Sequence, residues 1–200
     1  MQTKSFKFKP IHLLALLIPI IILLASYNAI YHTTTLTPSQ ELITSYVNSP
    51  SQEEAQTLLD QEPLTITANE LSHLDDVAKL MRLLNIILIA SIIIVTIKIY
   101  KLHKNKDYKT IKQLIIIGSS ITLILLLLFI IATQIDFTQS FQVFQKLLFP
   151  QGNYQFPESS YLITNLSAEF FQNLAIKIGI TAAILSTITI LTTILLPRKV

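Results

Sequence analysis

Four apolar stretches, each about as long as the roughly 20-residue helix that crosses a bilayer, dominate the chain. Backbone N–H and C=O groups in lipid must bond within their own segment, so each stretch is predicted to be a helix despite its many isoleucines. The sequence therefore predicts an all-α, polytopic membrane protein with an outer cap of short helices, forming one integral membrane domain over residues 1–200. The four transmembrane helices are expected at 11–30, 83–100, 114–133 and 174–196.

The charged residues separate by sign between the segments that connect these stretches. Lysines precede the first stretch and fill the loop 101–112, and Arg198 and Lys199 follow the fourth; the loops 32–82 and 134–173 hold 11 of the 12 acidic residues. By the positive-inside rule, both termini and the loop 101–112 are cytoplasmic, and the two acidic loops are outside. The net charge of +3 then reports topology, and we expect membrane lipid but no nucleic acid among the partners.

The first apolar stretch also has features of a secretory signal peptide, because lysines precede it and the small residues Ala25, Ser26 and Ala29 lie near its end. Its apolar run is long, however, and Tyr27 and Tyr31 suit a membrane interface. We expect the stretch to remain in the protein as a span.

The first outer loop carries helix start signals. A Pro near a predicted cap and a Ser-x-x-Glu capping box predict helices over 39–47 and 51–60. An extended stretch over 63–67 is expected to follow. Asn69 is then predicted to cap a helix that continues into the second span.

The second outer loop contains the pattern of an amphipathic helix. Phe137, Phe141, Phe144 and Leu148 recur at spacings of four, three and four residues, which places them on one face of a helix in the membrane interface. The Pro-Gln-Gly-Asn run that follows is expected to end this helix.

His73 lies among carboxylates just ahead of the second apolar stretch, with Glu70 three residues before it and Asp76 three residues after it. These spacings place the side chains on one face of a helix. A carboxylate beside an imidazole fixes its tautomer and increases its basicity, as a general-base site requires. The alternative is a solvated polar turn before a membrane helix, and the residues alone leave both interpretations open.

Several classes of chemistry are disfavoured by the sequence. The chain has no cysteine, which excludes disulfides and catalysis by a thiol. A metal site at His73 and Asp76 is a weaker alternative, because no second histidine lies near them in the sequence. Motifs for binding phosphates or dinucleotides and for a nucleophilic serine are missing from the sequence, so we expect neither a cofactor nor a metal.

Two blocks in the outer loops together resemble a known family. The first reads E-L-S-H-L-D-D-V-A-K-L from Glu70; the second reads F-Q-K-L-L-F-P-Q-G-N-Y-Q-F-P from Phe144, and L-I-T-N-L-S-A-E-F-F follows. They resemble the lipoprotein intramolecular transacylases (Lit), integral membrane proteins of Firmicutes. The resemblance implies an acyltransferase that moves an acyl chain from the diacylglyceryl group of a bacterial lipoprotein to the amine of its N-terminal cysteine, giving the lyso-form.

The resemblance also assigns residue roles, on the extracytoplasmic face of the cell membrane. His73 corresponds to the family's histidine and would deprotonate the attacking amine, whose ordinary pKa is about 8, and Asp76 would orient His73. Gln145 would donate a hydrogen bond to the developing oxyanion. The residues expected to bind the lipoprotein substrate are Glu70, Phe144, Phe149 and Tyr154.

The sequence departs from the family's pattern at three positions. Gln145 stands where the family has histidine, Tyr154 where tryptophan is common, and Ser167 where the family has proline. A glutamine side chain can donate a hydrogen bond but cannot carry a proton at neutral pH. The alternatives are therefore a catalytically inactive homologue that binds lipid or lipoprotein, an inactivated variant, and an accessory membrane protein without lipid chemistry.

Overall fold

The computed structural model describes residues 10–60 and 66–195, which form helices and connecting loops without a β-strand. The helices in chain order are α1 (Pro10–Ala15), α2 (Leu17–Thr33), α3 (Pro38–Asn48), α4 (Gln52–Asp60), α5 (Ala68–Lys104), α6 (Tyr108–Ile135), α7 (Phe137–Leu148), α8 (Tyr161–Asn165) and α9 (Ala168–Leu195). The predicted all-α class is confirmed.

Among the residues that the structure describes, four helical segments are long and apolar enough to cross a membrane: Leu13–Thr33, which joins the end of α1 to α2, and the segments in α5, α6 and α9. The chain is therefore a multi-pass membrane protein, as predicted. Helix α5 has 37 residues and is about 55 Å long, well beyond the roughly 30 Å of hydrocarbon that a span crosses. His73 lies in the part of α5 that precedes the apolar stretch beginning at Leu83, so the prediction that its helix continues into the second span is confirmed.

The short helices predicted in the first outer loop are present as α3 and α4. Helix α3 begins with a capping box, in which the Thr37 side chain and the Gln40 side chain each accept the other's backbone N–H. The Ser51 hydroxyl accepts the N–H of Glu54 at 3.2 Å before α4. The extended stretch predicted over 63–67 lies largely outside the described residues.

The prediction that Asn69 caps α5 is wrong, because the helix already begins at Ala68. Thr67 caps it instead: its hydroxyl accepts the N–H of Glu70 at 3.3 Å, and the Glu70 carboxylate accepts the N–H of Thr67 at 2.8 Å. Thr and Asn both serve as caps, and here the capping box with a glutamate three residues on determines the start.

The chain divides into two compact units, of which the first comprises Met1–Asn28, Leu88–Leu128 and Ile178–Val200 and the second Ala29–Ile87 and Phe129–Lys177. The first unit has a core of small and branched apolar side chains, which includes Ala15, Ile18, Ile22, Leu114, Leu126 and Ala182. The second unit has its own core, contributed by α3, α4, α8 and the start of α5, which includes Ile43, Tyr46, Ala55, Leu74, Ala78 and Leu162.

Within the first unit, α6 approaches the preceding helices closely at Gly118. A Cβ atom built on this glycine would lie 2.5 Å from the Cβ of Ile18 and 2.9 Å from the carbonyl oxygen of Ala15. Helices in a membrane pack through such small residues, since lipid provides no hydrophobic force between them. Only glycine fits at position 118.

Helix α7 is the amphipathic helix predicted for the second outer loop, and Asp136 caps it by accepting the N–H of Gln139 at 2.9 Å. None of its residues is buried, and its apolar side chains Val143, Phe144 and Leu147 are 54%, 55% and 77% exposed. The helix ends at Leu148, and the buried Phe149 separates it from the Pro-Gln-Gly-Asn run.

Candidate active site

Glu70 connects the start of α5 to α8 in the second unit. Its side chain is 1% exposed, and its carboxylate accepts the Thr67 hydroxyl at 2.7 Å, the Thr67 N–H at 2.8 Å and the Leu162 N–H at 3.0 Å. Burial works to raise the pKa of Glu70, but these hydrogen bonds outweigh it and hold the pKa below the usual range. The carboxylate is therefore ionised and already satisfied by protein donors.

His73, one turn further along α5, is enclosed by aromatic rings. It is 8% exposed, and its ring centre lies 4.8 Å from that of Phe149 and 5.6 Å from that of Phe156, both edge to face. Burial lowers the pKa of His73, because charge is costly in this apolar enclosure; Asn153 and Asp76 act in the opposite direction but more weakly. The imidazole is therefore neutral at pH 7 and able to accept a proton.

Asp76 lies one turn beyond His73 and holds the loop that follows α7. Its carboxylate accepts the side-chain amides of Gln151 at 2.8 Å and Asn153 at 2.9 Å, and the Lys79 ammonium at 3.1 Å. Burial works to raise its pKa, but the hydrogen bonds from Lys79, Asn153 and Gln151 hold the pKa below its usual range. An ionised Asp76 thus holds the side-chain amides of Gln151 and Asn153 against α5.

Asn153 is a neighbour of both Asp76 and His73. Its Nδ2 donates to the Asp76 carboxylate at 2.9 Å, and its side chain acts to raise the pKa of His73 against the larger effect of burial. Within the described residues, neither Oδ1 of Asn153 nor Nδ1 of His73 has a partner at standard hydrogen-bond geometry, and both atoms are buried. Asn153 therefore lies beside both the Asp76 carboxylate, to which it is hydrogen-bonded, and the His73 imidazole.

A tight turn places these amides over α5. Gly152 has a φ of 82°, a conformation that suits glycine, and its N–H donates to the carbonyl of Phe149 at 3.0 Å. Sequence reasoning took this Pro-Gln-Gly-Asn run only as a helix end and missed Gln151 and Asn153. The signal was a glycine turn flanked by two amide side chains.

The remaining expected site residues lie on α7 and the loop after it. Gln145 is half-buried and one turn before Phe149, whose N–H donates to the Gln145 carbonyl at 2.8 Å. Phe144 is exposed beside it, and Tyr154 is half-buried next to Asn153. The structure thus brings Phe149 against His73, and it places Gln145 and Phe144 one turn away along the chain.

The third carboxylate of the cluster, Asp75, takes part in a separate network. It accepts the hydroxyl of Tyr46 and the amide of Gln52, which in turn accepts Arg82 at 3.0 Å. Burial and the adjacent Asp75 raise the pKa of Tyr46 to about 12. Asp75 therefore joins α3, α4 and α5 and contributes no contact to His73 among those described.

The residues that the structure describes contain no group of three or more His, Asp or Glu side chains arranged to hold a metal ion. The site consists instead of one imidazole, two fixed amides, one carboxylate and an aromatic wall. This arrangement suits proton transfer at a single buried base.

Comparison with known proteins identifies the chain. The family model described as lipoprotein intramolecular transacylase Lit matches residues 10–171. No curated protein and no solved structure is significantly similar to it. The matched range contains His73, Asp76, Asn153 and Gln145 together. Matched over most of its length, this multi-pass membrane chain belongs to the lipoprotein intramolecular transacylase family and is an acyltransferase.

Proposed function

We propose that the protein moves an acyl chain from the glyceryl ester of a diacylglyceryl-modified lipoprotein to the α-amino group of its N-terminal cysteine, at the outer face of the cell membrane, with His73 as general base. One observation supports the assignment of His73: it is a buried imidazole packed against Phe149 and lying beside Asn153, whose amide donates to the Asp76 carboxylate. The outer location follows from the distribution of lysines and carboxylates along the chain.

His73 acts through Nε2 in this proposal. Asp76 fixes the orientation of the neighbouring Asn153 amide by accepting from its Nδ2 at 2.9 Å. In this proposal Nδ1 carries the imidazole proton on the side of Asn153, and Nε2 carries the lone pair that accepts the substrate's proton. Asp76 and Asn153 are thus positioning residues, and the loop after α7 is what places them.

The acyl transfer consumes no water and needs no cofactor, and its bonds and its proton are all accounted for. The cysteine amine attacks the ester carbonyl and transfers a proton to Nε2 of His73 as the C–N bond forms. The tetrahedral intermediate then breaks its bond to the glycerol oxygen, and His73 returns the proton to that oxygen. The products are an amide on the cysteine and a free glycerol hydroxyl, and the intramolecular attack avoids the entropy cost of bringing two molecules together.

Gln145 supplies the hydrogen bond to the oxyanion in this scheme. Its position one turn before Phe149, which packs on His73 at 4.8 Å, supports this role, and its side-chain amide can donate. Because glutamine cannot shuttle a proton, every proton transfer falls to His73. In acyl-transfer enzymes, a hydrogen-bond donor to the developing oxyanion lowers the activation barrier by about 3–4 kcal/mol.

The lipid part of the substrate lies along α7. The exposed apolar side chains Val143, Phe144 and Leu147 end within a few residues of Phe149, the ring that covers His73. Acyl chains or the bilayer surface can cover this apolar face of α7, which would otherwise be exposed to water. Phe149 and Tyr154 then line the approach of the ester, whereas Glu70 is assigned a structural role because protein donors occupy its carboxylate.

Mass spectrometry of the N-terminal lipopeptide of a model lipoprotein tests the proposal, in a host that lacks N-acylation enzymes. We expect the lyso-form with the unaltered chain and with Gln145→His, and none with His73→Ala. His32→Ala is the matched control, since His32 is exposed at the end of α2. Product from His73→Ala would refute the role of His73, and product from Gln145→His alone would favour an inactive homologue.

A further inference from the structure

Phe156 borders both His73 and an open polar pocket in the second unit. The pocket has a volume of about 710 Å³, within the roughly 300–1,000 Å³ typical of ligand sites. It is formed by the start of α5 and the segment that leads into α8, and its lining includes Thr67, Asn69, Phe156, Ser159, Tyr161 and Asn165.

The lining of this pocket combines neutral polar groups with apolar surface. Most of its residues carry a hydroxyl or a side-chain amide, Phe156 and Pro157 add apolar surface, and no Lys or Arg is among the described residues that line it. The carboxylate of Glu70, which also lines it, is occupied by Thr67 and by the N–H of Leu162. Such a surface offers no cation to a phosphate headgroup, and its neutral donors and acceptors beside apolar side chains match those of a short peptide.

The pocket lies beyond His73 in the direction away from the apolar part of α5. Thr67 and Asn69 precede His73 by six and four residues, roughly 6–9 Å along the helix axis, whereas the apolar stretch begins ten residues after His73, at Leu83. The order along α5 is therefore apolar stretch, imidazole, polar pocket. A lipid-modified N-terminus has the same order: acyl chains, then ester and amine, then polypeptide.

We infer that this pocket binds the first residues of the polypeptide that follows the lipid-modified cysteine, through hydrogen bonds to its main chain. The inference rests on the proposed function, since it takes His73 as the position of the reacting amine. Because the main chain is the same in every polypeptide, such a pocket accepts many sequences. Phe156 lies between the bound peptide and the base His73.

The inference is tested by comparing the KM values of two synthetic lipopeptides. One substrate is diacylglyceryl cysteine amide, and the other carries four further residues. We expect the longer substrate to have a KM lower by about tenfold, the effect of one or two added hydrogen bonds. Thr164→Trp, which fills the pocket, and Asn69→Ala, which removes a lining side chain, should raise the KM of the longer substrate toward that of the shorter.

The matched control is Thr57→Trp, at an exposed threonine of α4 outside the lining, which should leave the difference between the two substrates intact. Equal KM values for both substrates in the unaltered protein would overturn the inference. Turnover of the shorter substrate reports the proposed function separately, because that substrate cannot reach the pocket.

Photo-crosslinking gives a readout that does not need turnover. A lipopeptide with a benzophenone side chain at the third residue after the cysteine is bound to the full-length His73→Ala protein and irradiated. We expect crosslinks within residues 156–165 or at Asn69, lost in Thr164→Trp and kept in Thr57→Trp. Crosslinks confined to other segments would overturn the inference, even if the protein proves active.

Discussion

Replacing Glu70 with alanine removes a buried carboxylate that two distant parts of the second unit share. The Thr67 N–H and hydroxyl lose an acceptor at the start of α5, and the Leu162 N–H, 92 residues away in sequence, loses its acceptor at 3.0 Å. Thr67 is exposed and regains hydrogen bonds from water, whereas the Leu162 N–H is buried. We therefore expect the protein to be destabilised, chiefly at the junction of α5 and α8.

The size of this effect follows from its two parts. Leaving a buried N–H unsatisfied costs about 1–3 kcal/mol, and losing a capping interaction costs about 0.5–2 kcal/mol. A total of about 1.5–5 kcal/mol lowers the thermal midpoint of a chain of this size by roughly 3–20 °C. Glu70→Gln keeps one carbonyl acceptor but places an NH₂ group against a backbone donor, so we expect an intermediate loss.

Circular dichroism of the purified full-length chain in detergent measures the midpoint. Glu53→Ala is the control, because Glu53 is exposed in the first turn of α4 and its loss costs at most about 1 kcal/mol. If Glu70→Ala lowers the midpoint no more than Glu53→Ala does, and raises the KM for lipoprotein, then Glu70 binds substrate and the structural assignment is refuted.

Three further changes test the site and the membrane part. NMR titration of ¹³C-labelled His73 should give a pKa below the ordinary value of about 6.5, and a pKa above 6.5 would contradict the burial argument. Because the unfolded chain then binds the proton more tightly than the folded protein, the free energy of unfolding should fall as pH decreases from about 6.5 toward the pKa of the folded state. Asp76→Asn should lower turnover about 100-fold, as for a misplaced base, and lower the pKa of His73 further, whereas Asp75→Asn should leave both unchanged. Gly118→Ala, which brings a Cβ to within 2.5 Å of a side chain of α2, should destabilise the protein by about 1–3 kcal/mol; at Gly179 the nearest atom is 3.9 Å away, so Gly179→Ala serves as its control.

The membrane helices could be predicted from the sequence because lipid leaves few alternatives. An apolar run in hydrocarbon must satisfy its own backbone, so Leu83 to Tyr100 had to be helical whatever its neighbours. The pattern also predicted that the helix of His73 continues into this span, and Leu74 and Ala78 hold its first part in the core of the second unit. It did not predict that α5 runs past Tyr100 to Lys104, because the lysines there suit a loop as well as a helix end.

The roles of the acidic residues were only partly predictable. Asp75 and Asp76 are neighbours in sequence, but successive residues of a helix point about 100° apart, so one joins Tyr46 and the other joins the loop after α7. Spacing put Asp76 one turn from His73 on the same helix. It could not reveal that Asn153, 77 residues away, donates to the Asp76 carboxylate, because local periodicity carries no information on such distant contacts.

The link between Glu70 and Leu162 also has a consequence for the biogenesis of the protein. Two spans, α5 and α6, lie between these residues, so both reach the same side of the membrane only after the ribosome has made the 92 residues that separate them. At about 5–20 residues per second, synthesis of these 92 residues takes several seconds, and Glu70 has no Leu162 N–H to bind until it is finished. During this interval neither the Glu70–Leu162 contact nor the Asp76–Asn153 contact can form, so the nascent chain is expected to acquire activity only when the second outer loop arrives.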